Sequence, residues 1–229
     1  MMRFIEAYYS VIGSKHLELG SCNQDACFFK KDENTIVMTV ADGVGSLENS
    51  HFGSREVGDS VFRAFKMWVD KDTNNLLDLS SLIFYIWNKK FDKPEMYSTT
   101  CLFTVIYNNT LYIGQVGDGI IFYIYNDELK ILYEKDDDFS NITTTLYSAG
   151  VADFYIKRIK INYEDKIAVF MATDGISSSL LKSKYADFLE YIMYKINDNI
   201  NSRNDVIKDI LNDDWKSSDD KTIAVIYNY

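Results

Sequence analysis

Three times along the chain an apolar run stops at Asp-Gly: Thr35–Ser46 (TIVMTVADGVGS), Leu111–Gly119 (LYIGQVGDG) and Ile167–Gly175 (IAVFMATDG). Short apolar runs bounded by glycine are the pattern of buried strands. A carboxylate at the end of such a strand stands on rigid backbone and faces the open edge of a sheet. The fold therefore has to bury three strands and leave an aspartate at each end, in positions that can converge.

At 229 residues the chain is long enough for one large domain or two small ones, and one domain over residues 1–229 is the expectation. Hydrophobic residues make up 47% and charged residues 25%, which are globular values and not those of a disordered chain. The net charge of −10 repels phosphate backbones and argues against nucleic acid as a partner, while leaving room for a cation site. Cys22, Cys27 and Cys101 match no zinc spacing, and His16 and His51 are the only histidines, so reduced thiols in a cytoplasmic protein without zinc are expected. The start, MMRFIEAYYS, lacks the apolar centre of a signal peptide, and no run is long enough to cross a bilayer.

Residues Arg3–Ile12 and Ala26–Lys30 read as strands, with the polar stretch Gly13–Gln24 connecting them. Thr35–Ala41 is too apolar to alternate, which predicts a strand covered on both faces. Helical spacing then runs over Ser50–Asp70, with Ser50 as a candidate cap, and over Leu76–Phe91, which ends before Pro94. Ser98–Tyr107, Thr110–Val116, Ile120–Tyr125 and Leu129–Tyr133 follow as an antiparallel meander punctuated by Asn108-Asn109, Asp118-Gly119 and Asn126-Asp127. Strands return at Phe154–Ile161 and Lys166–Ala172, a helical region spans Leu180 to about Leu211 with a break near Asn197–Asn204, and Thr222–Tyr227 closes as a strand. Strand blocks with helices inserted in pairs predict an α+β fold of antiparallel sheets covered by helices. The strand tyrosines, including Tyr107, Tyr112, Tyr123 and Tyr125, are expected to pack those sheets.

Asp25 opens the second strand and Asp219-Asp220 precede the last one. Carboxylates at strand ends, without histidine or cysteine companions, suit hard divalent cations, magnesium or manganese. Taken singly, each Asp-Gly also has a structural reading: Asp118-Gly119 as a hairpin turn, and Asp174 as the cap of a short helix at Ile176–Leu181. Their combined order along the chain adds more.

That order resembles the metal-dependent type 2C serine/threonine protein phosphatases. Asn23-Gln24-Asp25 is similar to the family's Asn-Glu-Asp, Val40–Gly45 to its Ala-Asp-Gly-x-Gly, and Ser98-Thr99-Thr100 to its Gly-Thr-Thr. Gly117-Asp118-Gly119 is similar to Gly-Asp-Ser, Thr173-Asp174-Gly175 to Ser-Asp-Gly, and Asp219–Thr222 to the closing Asp-Asn-x-Thr. Gln24 in place of glutamate looks most like a bacterial branch.

The resemblance implies a four-layer α-β-β-α sandwich with a binuclear manganese or magnesium centre at one edge. By carry-over, Asp42 bridges both ions, the Gly43 carbonyl holds one, and Asp174 and Asp219 hold the other. Asp25 acts through a coordinated water, and Asp118 with Asp174 forms a weaker third site. The implied activity is hydrolysis of phosphoserine and phosphothreonine on proteins, opposing a Ser/Thr kinase in cytoplasmic signalling. The alternatives are a phosphatase-like regulatory or binding module, and a metal-dependent phosphohydrolase acting on a small metabolite.

Gly20 stands where many members carry a phosphate-binding arginine, and Val44 where some carry a histidine. His16 is the candidate substitute, as phosphate ligand or proton donor alongside Asp42. Arg55, Lys157 and Arg158 are further cations, read first as solvated surface charge. Asp136–Gly150 falls at the family's variable flap, where substrate selectivity is expected, although an ordinary surface loop gives the same pattern.

Overall fold

The apolar runs become the interior strands of two sheets. The computed structural model describes residues 2–72, 74–132, 144–149 and 153–228. Its strands are β1 (Ile5–Val11), β2 (Asp25–Lys31), β3 (Thr35–Asp42), β4 (Cys101–Tyr107), β5 (Thr110–Val116), β6 (Ile120–Tyr125), β7 (Glu128–Ile131), β8 (Tyr155–Lys160), β9 (Ile167–Ala172) and β10 (Lys221–Tyr227). The helices are α1 (Ser14–Glu18), α2 (Ser50–Asp70), α3 (Leu76–Asn88), α4 (Asp174–Ser177), α5 (Tyr185–Asp198) and α6 (Arg203–Leu211).

One antiparallel sheet has the order β1-β10-β9-β6-β7 and the other β2-β3-β4-β5-β8. Alternation along β3 sends Val37 and Ala41 to the face covered by α2 and α3, and Met38 and Val40 into the space between the sheets. This is the two-sided burial that its unbroken apolar sequence predicts. The other sheet does the same with α5 and α6, where Phe170 and Val225 meet Leu189 and Ile207. The result is the expected α+β sandwich, helices and sheets in four layers.

Two of the predicted turns are local hairpins. Asn108-Asn109 and Asn126-Asp127 all have positive φ, as the tightest two-residue hairpins require. The third is different and corrects the meander. β5 and β6 lie in different sheets, so Gly117-Asp118-Gly119 is a crossover and not a hairpin turn.

Within Gly13–Gln24, read as a plain connection, the chain forms the short helix α1. Ser50 is the first residue of α2 instead of its cap, and its hydroxyl donates to the Leu47 carbonyl at 2.9 Å. Of the flap candidate Asp136–Gly150, residues 136–143 and 150 lie outside the described residues, as does Tyr133 of the predicted seventh strand. Residues 144–149 are described, and Leu146 is buried with its N–H on the Thr99 carbonyl at 2.8 Å. Among the described residues no helix is long and apolar enough to cross a membrane.

Candidate metal centre

Strand register brings the carboxylates to one edge. Asp25, at the start of β2, pairs with Asp42, at the end of β3. Cys101 at the start of β4 pairs with Val116 at the end of β5, so Asp118 leaves the same edge of that sheet. In the other sheet Ala172 ends β9 opposite Ile120 and Ile223, which sets Asp174 and Asp219-Asp220 at the corresponding edge.

Asp42, Asp118 and Asp174 are half-buried, and each offers an oxygen within 4.8 Å of the other two. Backbone hydrogen bonds fix Asp42. Its N–H donates to Thr100 Oγ1 at 2.9 Å, and its carbonyl accepts from Thr99 Oγ1 and the Thr100 N–H, both at 2.8 Å. This gives the Thr99-Thr100 element a physical task. Gly43 continues the contact, donating to the Gln24 carbonyl at 3.1 Å, and a Cβ on it would come within 2.9 Å of Gln24 and Ser50.

Asp25 is set deeper and is only 5% exposed. Its Oδ2 accepts from Thr173 Oγ1 and Thr222 Oγ1 at 2.8 Å each, so residues of the second sheet hold a carboxylate of the first. Ser10 Oγ lies 2.8 Å from Thr222 Oγ1 and accepts from Asn23 Nδ2 at 2.8 Å, while Asn23 Oδ1 accepts the Asp25 N–H at 2.9 Å. The polar chain thus closes on the residue that carries it.

The electrostatics follow from this crowding. Burial pushes the Asp25 carboxyl up to about 8, against the pull of the two threonine hydroxyls, and Asp220 and Asp174 push the same way. Burial also raises Asp42 well above the usual carboxylate range, reinforced by Asp25, Asp174 and Asp118. Asp174 is raised by burial, then by Asp118 and Asp219. Among the described residues no lysine or arginine forms an ion pair with Asp25, Asp42 or Asp174. Like charges held together without a cationic side chain fit a bound divalent cation, and an all-oxygen donor set suits magnesium or manganese.

His16 joins a second group, with Asp219 and Asp220. It is 6% exposed on α1, with Nδ1 at 2.8 Å from Asp220 Oδ2, and the structure does not bring it into the Asp42 group. Asp220 also accepts the Gly13 and Gln24 N–H groups, both at 2.7 Å, so its carboxylate is fully engaged. Asp219 is half-buried beside it. Arg55, Lys157 and Arg158 are exposed, as their surface reading predicts.

Sequence reading named Asp219-Asp220 together as strand-end carboxylates without giving Asp220 a role of its own, and it did not single out the threonines that hold Asp25. Their signal was present, since Thr173 and Thr222 each stand next to or two residues from a candidate aspartate. It also did not single out Lys221, which is 8% exposed and donates Nζ to the Asp219 carbonyl at 3.0 Å.

The sequence model of the family described as protein phosphatase 2C matches residues 12–212. Among solved structures, a bacterial serine phosphatase is 14% identical with a TM-score of 0.66, covering 100% of this chain and 98% of that one. A serine/threonine phosphatase of S. agalactiae is 17% identical with a TM-score of 0.64, covering 99% and 100%. The catalytic domain of the serine/threonine protein phosphatase PstP, in complex with two manganese ions, is 15% identical with a TM-score of 0.60, covering 100% and 99%. At these identities the likeness is one of fold. No curated protein matches the sequence.

Proposed function

This chain belongs to the protein phosphatase 2C family, and from that premise we propose that it is a manganese- or magnesium-dependent phosphatase acting on phosphoserine and phosphothreonine of proteins, with residues 1–229 as one catalytic unit. The observation that carries the reading is the meeting of Asp42, Asp118 and Asp174 within 4.8 Å at one sheet edge. Burial raises the Asp25 carboxyl beside them to about 8, so its ionised form would gain from a bound cation. Bound cations would supply a water acidic enough to attack phosphorus near neutral pH, and positive charge for the phosphoryl oxygens.

In this reading the Asp42 carboxylate and the Gly43 carbonyl would hold the ions. Asp174 and Asp219 would be further ligands, and Asp118 with Asp174 would hold an additional, weaker-bound ion. Asp25 would hold metal-bound water through the oxygen that the threonines leave open. His16 holds Asp220, which fixes the backbone just before β10 and so the direction of Asp219. The names of the neighbouring structures, serine and serine/threonine phosphatases, support a phosphoprotein substrate and hence a kinase that installs the phosphate.

A second reading, a module that keeps the fold without turnover, draws on Gly20, whose surroundings are open where many relatives carry arginine, and on Gln24 in place of glutamate. The test is hydrolysis of a phosphothreonine peptide and of p-nitrophenyl phosphate by metal-stripped protein resupplied with manganese, alongside Asp42→Asn. Manganese-dependent turnover of both substrates, lost in the variant together with metal binding, is the expected result. Turnover of the small ester alone would redirect the reading to a metabolite phosphohydrolase. No turnover by folded, metal-binding protein would establish the second reading.

A further inference from the structure

Gln115 is 2% exposed near the end of β5. Alternation along the strand places Leu111 and Ile113 in the core between the sheets and Tyr112 and Val116 under α2 and α3. Gln115 shares the side of Leu111 and Ile113, so an amide occupies a position where the neighbouring side chains are apolar. A buried amide there is costly unless it is paired.

Its Nε2 is paired twice, donating to the Gly119 carbonyl at 2.6 Å and the Gly117 carbonyl at 3.2 Å. Both partners are acceptors, so the orientation of the amide is fixed by chemistry: nitrogen toward the turn, oxygen away from it. The two carbonyls belong to the residues on either side of Asp118. Both positions call for glycine. Gly117 has φ of +106°, and a Cβ on Gly119 would come within 2.7 Å of the Ala172 carbonyl.

We propose that Gln115 is a positioning residue for the metal centre, its amide gripping the crossover from both sides so that the Asp118 carboxylate is aimed at Asp42 and Asp174. The proposal rests on the phosphatase reading above and adds to it the residue that sets the weak, Asp118-dependent ion position. A strand-end aspartate normally takes its direction from its own sheet. Asp118 lies between two sheets, and the side-chain clamp supplies what neither sheet provides.

The test is a double-mutant cycle on manganese binding, followed by calorimetric titration of the metal-stripped protein with manganese chloride, for wild type, Gln115→Met, Asp118→Ala and the double variant. Methionine keeps the volume and removes both donors. Losing them is expected to weaken the Asp118-dependent binding on the order of tenfold, and to raise the manganese concentration at half-maximal turnover in step. In the Asp118→Ala background the same substitution should leave manganese binding unchanged, because nothing remains to be aimed.

An effect of Gln115→Met that persists in full in that background overturns the clamp and leaves the phosphatase reading intact. Manganese binding by Asp118→Ala that equals wild type overturns the ion position itself. Should Gln115→Met not fold, Gln115→Asn carries the same cycle, since its amide stands one methylene short of the two carbonyls.

Discussion

His16 Nδ1 lies 2.8 Å from Asp220 Oδ2, and the two side chains are 204 residues apart in sequence and almost wholly buried. The same carboxylate accepts the Gly13 N–H at the start of α1 and the Gln24 N–H ahead of β2. One aspartate therefore ties three chain segments together at the edge where the candidate metal ligands stand. Asp220→Asn offers one acceptor oxygen to three donors and leaves at least one of them unsatisfied. A loss of about 2–4 kcal/mol in urea denaturation is expected, with manganese affinity falling as the Asp219 segment loosens. His16→Ala should cost less, about 1–3 kcal/mol, because the two backbone donors remain.

The raised carboxyls predict how the metal-free protein responds to pH. Asp25, Asp42 and Asp174 all bind protons more tightly in the folded state than in the unfolded chain, through burial first and mutual repulsion second. Their contribution is fully present below the unfolded carboxylate range, about pH 4, and is lost as pH rises toward the Asp25 value of about 8. The melting temperature of chelator-treated protein should fall across that window. Added manganese should flatten or reverse the slope, since a cation stabilises the ionised form. Thermal melts with and without metal at stepped pH measure both.

Thr222→Val removes one of the two hydroxyls that hold Asp25 Oδ2 and breaks the link to Ser10. A charge-assisted bond of this kind contributes about 1.5–3 kcal/mol. Manganese affinity is expected to drop on the order of tenfold, with the Asp25 carboxyl pushed further up. Thr222→Ser, which keeps the hydroxyl, should restore most of the binding.

Tyr123 is 1% exposed between the sheets, and its hydroxyl has no hydrogen-bond partner among the described residues. Tyr123→Phe removes that unpaired group and leaves the ring in place. Stability should rise by about 1 kcal/mol, read as a higher urea midpoint at unchanged slope, with manganese-dependent turnover unaffected.

What the sequence determined by itself is local. Strand and helix order, the hairpins at Asn108-Asn109 and Asn126-Asp127, and the placing of Asp42, Asp118 and Asp174 at strand ends follow from periodicity and turn chemistry, which act over a few residues. The family motifs located the candidate ligands for the same reason, because each is a short contiguous string.

The tertiary structure decided which strands share a sheet, and with that the roles of the residues between them. Asp118 read as a hairpin turn because its flanking strands are adjacent in sequence, yet β5 and β6 pair in different sheets and make it a crossover. Asp25 read as one more strand-end carboxylate, and only the meeting of the two sheets shows it buried on Thr173 and Thr222. His16 read as a candidate phosphate ligand or proton donor, and the carboxylate that engages it is supplied by the far end of the chain. Contacts across such separations depend on strand order and register, which no local pattern encodes.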